Sequence, residues 1–153
     1  MFRFFELAKR TFMPDSDADV NIYIPGSLVK IYEDVTGNDF FDAIKQTKYA
    51  RKVSAYDFKL NIDASIMRGF FSEPIQSILS LLKKMMQESR FNGVSSIVMV
   101  GGFSNSKMLQ QAIKSTFHNC MRILPLEADM AVLRGAVMFG HDPASIAHRV
   151  CPY

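Results

Sequence analysis

With 153 residues, 48% of them hydrophobic and 13 of them Phe, the chain has the size and apolar content of one ordinary folded domain, which argues against a disordered tail. Its 18 basic and 15 acidic residues leave a formal net charge of +3 that is spread along the sequence, with only short clusters such as Lys83-Lys84, too weak a field for a nucleic-acid-binding surface. Arg3, Glu6, Lys9 and Arg10 interrupt the apolar N-terminus, no run approaches ~18 apolar residues, and Cys120 and Cys151 lack a C-x-x-C or a histidine at ligand spacing, so a secretory leader, a membrane span, a zinc site and a disulfide framework are all disfavoured and a soluble, cytoplasmic protein is expected.

Residues 1–12 have helical spacing, with Phe2, Phe5, Leu7, Ala8 and Phe12 on one broad side, and stop before Pro14. The stretch 14–19 is polar and predicts a turn; Val20, Ile22 and Ile24 then alternate as a strand does until Pro25-Gly26. Two short helices are expected over 28–35 and 40–44, divided by Gly37-Asn38, and a second strand where Phe58, Leu60 and Ile62 alternate. Asp63 is placed to cap a helix running through Phe71, and a further helix is expected from Pro74, with Ile75, Ile78, Leu79, Leu82 and Met86 on its buried face. Gly93 ends that unit. A strand over 96–100, a helix over about 107–117 with Leu109, Ala112, Ile113 and Phe117 inward, a strand over 121–124 and a helix over about 129–139 closed by Gly140 complete the alternation. Asp142-Pro143 opens a short terminal helix that holds Ile146. Strands alternating with helices predict an α/β fold whose sheet has parallel members.

The most informative stretch is 96–106, an apolar run that stops at Gly101-Gly102 and opens into a helix near Ser106. A Gly-Gly step lets a backbone approach a ligand where a Cβ collides, and the following helix aims free N–H groups and its positive dipole end at the same place. A phosphate or ribose is met in this way. The competing reading is an ordinary strand-to-helix turn, with the glycines serving tight packing; neither G-x-G-x-x-G nor G-x-x-x-x-G-K-[ST] occurs. Glu6, Lys9 and Arg10, at i, i+3 and i+4, rise from one patch of the opening helix, where a planar guanidinium can stack on a base while carboxylate and ammonium take hydroxyls and phosphate oxygens. His118, His141 and His148 have no carboxylate or cysteine companions at useful spacing and read as surface residues. Ser104 and Ser106 read as helix caps, not nucleophiles, and Asp129 as a possible cap as well.

Taken together, the segments 6–12, 100–103 and 129–137 resemble the second lobe of the actin-like ATPase (ribonuclease H-like) fold of the heat shock 70 kDa chaperones. Phe103 after Gly101-Gly102, Pro125-Leu126-Glu127, the segment 132–140 and Asp142-Pro143-Ala144 are similar to the divergent heat shock 70 kDa protein 12 branch with its 12A and 12B types. The resemblance implies a mixed sheet with flanking helices plus a small α+β subdomain, divided here as 1–62 (small subdomain with the adenosine-covering helix) and 63–153 (main subdomain with the Gly-Gly loop). It implies ATP or ADP as cofactor, with Mg carried on the nucleotide, and Glu6 and Lys9 at the ribose hydroxyls, Arg10 on the adenine and Gly101-Gly102 near the α-phosphate and ribose. The resemblance further implies that Asp129 enters a helix of small residues packed closely on the nucleotide-binding sheet. Phe103, Asn105 and Met13 stand where better-known chaperones have a serine, an arginine facing the adenine and a hydroxyl, which leaves fewer polar side chains to hold the base.

The family's first lobe supplies an Asp-x-Gly-x-Thr phosphate hairpin, a catalytic lysine and magnesium-directing carboxylates, and none of these lies in this sequence. The resemblance therefore implies a fragment that hydrolyses no ATP by itself and whose partners are the nucleotide and the missing N-terminal lobe or a protein in its place. A pseudo-ATPase used as a protein-interaction module is the alternative, and a sugar kinase of the same fold is a third. All of these rest on one spatial expectation: the opening helix and the diglycine bend face each other across one cleft.

Overall fold

In the computed structural model, which describes residues 2–145, helix α1 (Phe2–Thr11) leads into strand β1 (Val20–Tyr23), helices α2 (Gly26–Thr36) and α3 (Phe40–Lys45), strands β2 (Val53–Tyr56) and β3 (Lys59–Ile62) and helix α4 (Ala64–Met86). Strand β4 (Ser96–Val98), helix α5 (Lys107–Thr116), strand β5 (Met121–Ile123) and helix α6 (Ala131–His141) follow, with 3-10 turns at Ser89–Phe91, Gly102–Asn105 and Pro143–Ser145. Ile146, His148 and Cys151 lie outside the described residues. No helix among the described residues is long and apolar enough to cross a membrane.

The strands form two sheets. β1, β3 and β2 pair antiparallel in that order, with Ile22 opposite Leu60 and Val53 opposite Ile62. β4 and β5 pair parallel, with Ile97 opposite Arg122. The α/β class therefore holds, with parallel pairing among the described residues confined to β4 and β5. The β2–β3 hairpin is absent from the sequence expectation because its two-residue turn is Asp57-Phe58, at φ 49° and 55°. A type I′ hairpin turn needs positive φ at both positions, and Asn-Gly is a pair that usually advertises it. Phe58 accordingly belongs to the turn instead of the strand, and its carbonyl accepts from the Ile24 amide at 2.7 Å.

α4 is one continuous helix of 23 residues, not two, and Pro74 lies inside it. A proline in a helix interior costs about 3 kcal/mol, but Met67, Phe71, Ile75 and Leu79 recur every fourth residue and all are buried. Each such side chain contributes roughly 1.5–3 kcal/mol on burial, so the stripe holds the helix together through the proline. That stripe is the spine of one core, packed on Phe12, Ile22 and Ile62 and on Met99, Leu109 and Ile113. Phe5 and Ala8 of α1 lean on the same core. Leu7, expected among them, is 61% exposed on the other side of α1.

α6 departs furthest from expectation. It starts at Ala131 after Met130, whose side chain makes no cap, so Asp129 is not its N-cap; Gly140 lies inside the helix and does not end it. No residue of α6 is buried, and Met138 is 70% exposed, so its small residues bring it into no tight packing among the described residues. Glu127, at φ 56°, anchors its first turns through an ion pair with Arg134.

Met67, 0% exposed, lies within the core cluster. Met67→Ala is expected to cost about 2–5 kcal/mol in urea unfolding, whereas Leu133→Ser on the open side of α6 stays within about 0.5 kcal/mol; equal losses at the two positions would show that α6 is packed. Asp63 caps α4 by accepting from the Ser65 amide at 2.7 Å and from the Ser65 hydroxyl, and these bonds, the hydroxyl first, hold its carboxyl below the ordinary 3.8. A carboxyl lowered in the folded state contributes stability that is present above its ordinary value and is lost as pH falls through the lowered one. Asp63→Asn, which keeps a capping acceptor, is expected to lose less Tm than the parent between about pH 6 and about pH 3.

Candidate functional site

α1 divides its side chains by the helical period: Phe5 and Ala8 pack inward, and Glu6, Lys9 and Arg10 rise together from the face beside them. Lys9 Nζ donates to Glu6 Oε1 at 2.8 Å. That hydrogen bond, followed by the charges of Lys9 and Arg10, holds the Glu6 carboxyl below the ordinary carboxylate range. The Arg10 guanidinium makes no ion pair among the described residues.

On the other side, the chain leaves β4 with the Met99 amide still bonded to the Ile123 carbonyl at 2.9 Å, and the Gly101 amide donates to the Ala128 carbonyl at 2.7 Å. Gly101 then takes φ 86°, ψ 165°, a region essentially closed to other residues. The 3-10 turn that follows is braced from inside. Both the amide and the hydroxyl of Ser104 donate to the Gly101 carbonyl, at 3.0 and 2.6 Å, and Gln110 Nε2 donates to the Ser104 carbonyl at 2.8 Å. Ser106 is the N-cap of α5, accepting from the Leu109 amide at 3.5 Å; Ser104 is not a cap. A Cβ built on Gly101 or Gly102 meets nothing within 4 Å, so tight packing explains neither glycine. The first is required by its φ, and the second borders open space. The amides of Gly102 and Phe103 have no acceptor among the described residues.

Glu6, Lys9, Arg10, Phe71, Gly102, Phe103 and Ser106 line one cavity of about 190 Å3, so α1 and the diglycine bend do face each other across a single space. A neighbouring cavity of about 380 Å3 shares Lys9, Phe71 and Phe103 and adds Phe5, Phe70 and Pro74. Met13 lines a different cavity, with Leu7 and Val20. Gly101 lies just behind the lining residues, Asn105 is half-buried in the turn, and Asp129 is exposed ahead of α6; none of the three lines the cavity. His118 and His141 are exposed at the ends of α5 and α6.

The residue that spacing did not single out is Phe71. Its place in the α4 stripe assigns it to the core, where it is indeed buried, and nothing in the sequence signals that its ring also floors the cavity. Ser106 was legible as a cap but not as a wall. The site offers cations, one carboxylate and backbone amides over an aromatic floor, a set suited to holding a ligand with anionic, hydroxyl and planar parts. Among the described residues no three His, Cys, Asp or Glu side chains gather as metal ligands do.

No protein-family model matches the chain, and no solved structure matches it. The chain is 31% identical over 149 residues to heat shock 70 kDa protein 12A of Homo sapiens and equally to that of Mus musculus, and 25% identical over 150 residues to heat shock 70 kDa protein 12B of Homo sapiens. Each alignment covers 97% of this chain but 22% of the relative. Over nearly its whole length the chain is therefore a homologue of heat shock 70 kDa proteins 12A and 12B, and it spans about a fifth of the length of each.

Proposed function

We propose that this chain is the adenine-nucleotide-binding part of a heat shock 70 kDa protein 12-like, chaperone-type cytoplasmic ATPase, with ATP or ADP seated between α1 and the Gly101-Gly102 bend. The observation that carries the reading is that Glu6, Lys9, Arg10 and Gly102, from two distant segments, line one cavity. Glu6 and Lys9 are proposed at the ribose hydroxyls, Arg10 against the base, and the Gly102 and Phe103 amides with the N-terminus of α5 towards the ribose and α-phosphate. The residues suit such a ligand: Arg10 has no ion pair to give up among the described residues, and the space in front of Gly102 is vacant of protein. Asn105 and Asp129 are proposed as outer contacts, and Met13 as a flank of α1 beyond the base. In this reading residues 1–62 form the small subdomain and 63–153 the main one of an actin-like lobe.

A cavity of about 190 Å3 is smaller than the roughly 300–1,000 Å3 of most ligand sites, which fits one wall of a cleft completed by a second lobe. Mg accompanies the nucleotide and supplies charge neutralisation at the phosphates when bound. The residues of this chain bind and orient; phosphoryl transfer needs the metal-directing carboxylates and lysine that the resemblance assigns to the other lobe.

Titrating the chain with ATP and following backbone amide shifts is expected to move Gly102, Phe103, Ser106 and the exposed face of α1 together. Gly102→Val fills the space in front of the bend and is expected to abolish those shifts while changing stability by no more than about 0.5 kcal/mol, since its side chain enters open space. Shifts that spare these residues, or ATP binding that survives Gly102→Val unaltered, overturn the reading.

A further inference from the structure

Phe12, Phe71 and Phe103 form a column of near-parallel rings. Phe12 and Phe71 are 6.2 Å apart at 7°, and Phe71 and Phe103 are 6.5 Å apart at 8°, offset-stacked distances for aromatic pairs. The column runs outward from the core: Phe12 and Phe71 are buried, and Phe103 is 36% exposed. Phe103 lines both the cavity that holds Glu6, Lys9 and Arg10 and its aromatic neighbour. Its backbone belongs to the turn braced by Ser104 and Gln110, and one ring face rests on Phe71, so the ring is fixed before any ligand arrives.

The chemistry around it is one-sided. Beside Phe103 in the second cavity stand Phe5, Phe70, Phe71, Pro74 and Lys9, whose ammonium is a donor without directional preference. Reading a base edge takes fixed donors and acceptors placed in pairs, whereas stacking on a π face is open to every base and grows with ring area. An aromatic platform provides the second; of the polar groups that share the cavity, Glu6 is bonded to Lys9, Ser106 to the Leu109 amide, and Arg10 is proposed on the ring face, which leaves the base edge without a dedicated donor–acceptor pair.

We infer that Phe103 is the stacking platform for the base and that the site takes purine nucleotides as a class, ATP and GTP alike, by ring area instead of by reading the base edge. This inference rests on the nucleotide reading proposed above.

Affinities of the full chain for ATP, GTP, UTP and inorganic tripolyphosphate, measured by calorimetry at one salt concentration, test it. ATP and GTP are expected to bind within about threefold of each other and UTP about fivefold or more weakly. Phe103→Ser is expected to lower ATP and GTP affinity about tenfold and to leave tripolyphosphate unchanged, and Phe103→Tyr to restore the purines. Four outcomes overturn the inference: ATP preferred over GTP by more than about tenfold, UTP bound as well as the purines, Phe103→Ser binding ATP as the parent does, or Phe103→Ser weakening tripolyphosphate equally. In each of these the nucleotide cleft itself still stands. A parent chain that binds tripolyphosphate but no nucleotide, or none of the four ligands, overturns both.

Discussion

The buried stripe of α4 is the constraint on which the rest of the structure depends. Met67, Phe71, Ile75 and Leu79 lie on one helical face, and the elements from both ends of the chain pack around it. α1 and the antiparallel sheet reach it through Phe12, Ile22 and Ile62; β4 and α5 reach it through Met99, Leu109 and Ile113. Two segments about ninety residues apart in sequence thereby come to face each other, and Phe71, between Phe12 and Phe103, lies where the two groups meet. The proline inside α4 is tolerated for the same reason: breaking the helix there separates the stripe and opens the core on both sides.

The two walls of the cavity bring different things to it. α1 supplies exposed charge, and the Glu6–Lys9 pair, open to solvent, adds little to folding. The bend supplies fixed backbone. Its shape follows from the φ of Gly101, from two Ser104 bonds onto one carbonyl and from the Ser106 cap, none of which needs a ligand in order to form. A rigid wall facing an adaptable charged one limits the ordering cost of binding to a few long side chains.

Much of this was legible in the sequence where a local rule and burial agree. Ser106 at the head of α5, Asp63 at the head of α4, the inward set Leu109 and Ile113, and the i, i+3, i+4 patch of α1 follow from caps and helical spacing, and the structure keeps them. The failures occur where tertiary packing overrode a local rule or no local rule applied. Pro74 signals a helix start by itself, but the four-residue repeat running through it wins; Asp57-Phe58 makes a tight turn without the residues that announce one. Phe71 shows the limit of periodicity, since spacing reports which face of a helix is buried and not what the far edge of a buried ring touches.

α6 carries the remaining lesson, because its composition and its environment disagree. Apolar on most of its circumference yet without a buried residue, it exposes Leu133 and Met138, as β4 and β5 expose Val98 and Met121. Parallel pairs normally have cover on both faces, and among the described residues α6 buries no side chain. Among the described residues packing is thus uneven, dense along α4, where the cavity and its aromatic floor lie, and sparse around α6. Local opening follows the number of buried contacts, so the sparsely buried α6 end is where opening is expected first, and backbone bonds join the segment ahead of it to the bend. The clearest of these is the bond from the Gly101 amide to the Ala128 carbonyl, just ahead of Asp129. That bond ties the position of the bend to the segment that leads into α6.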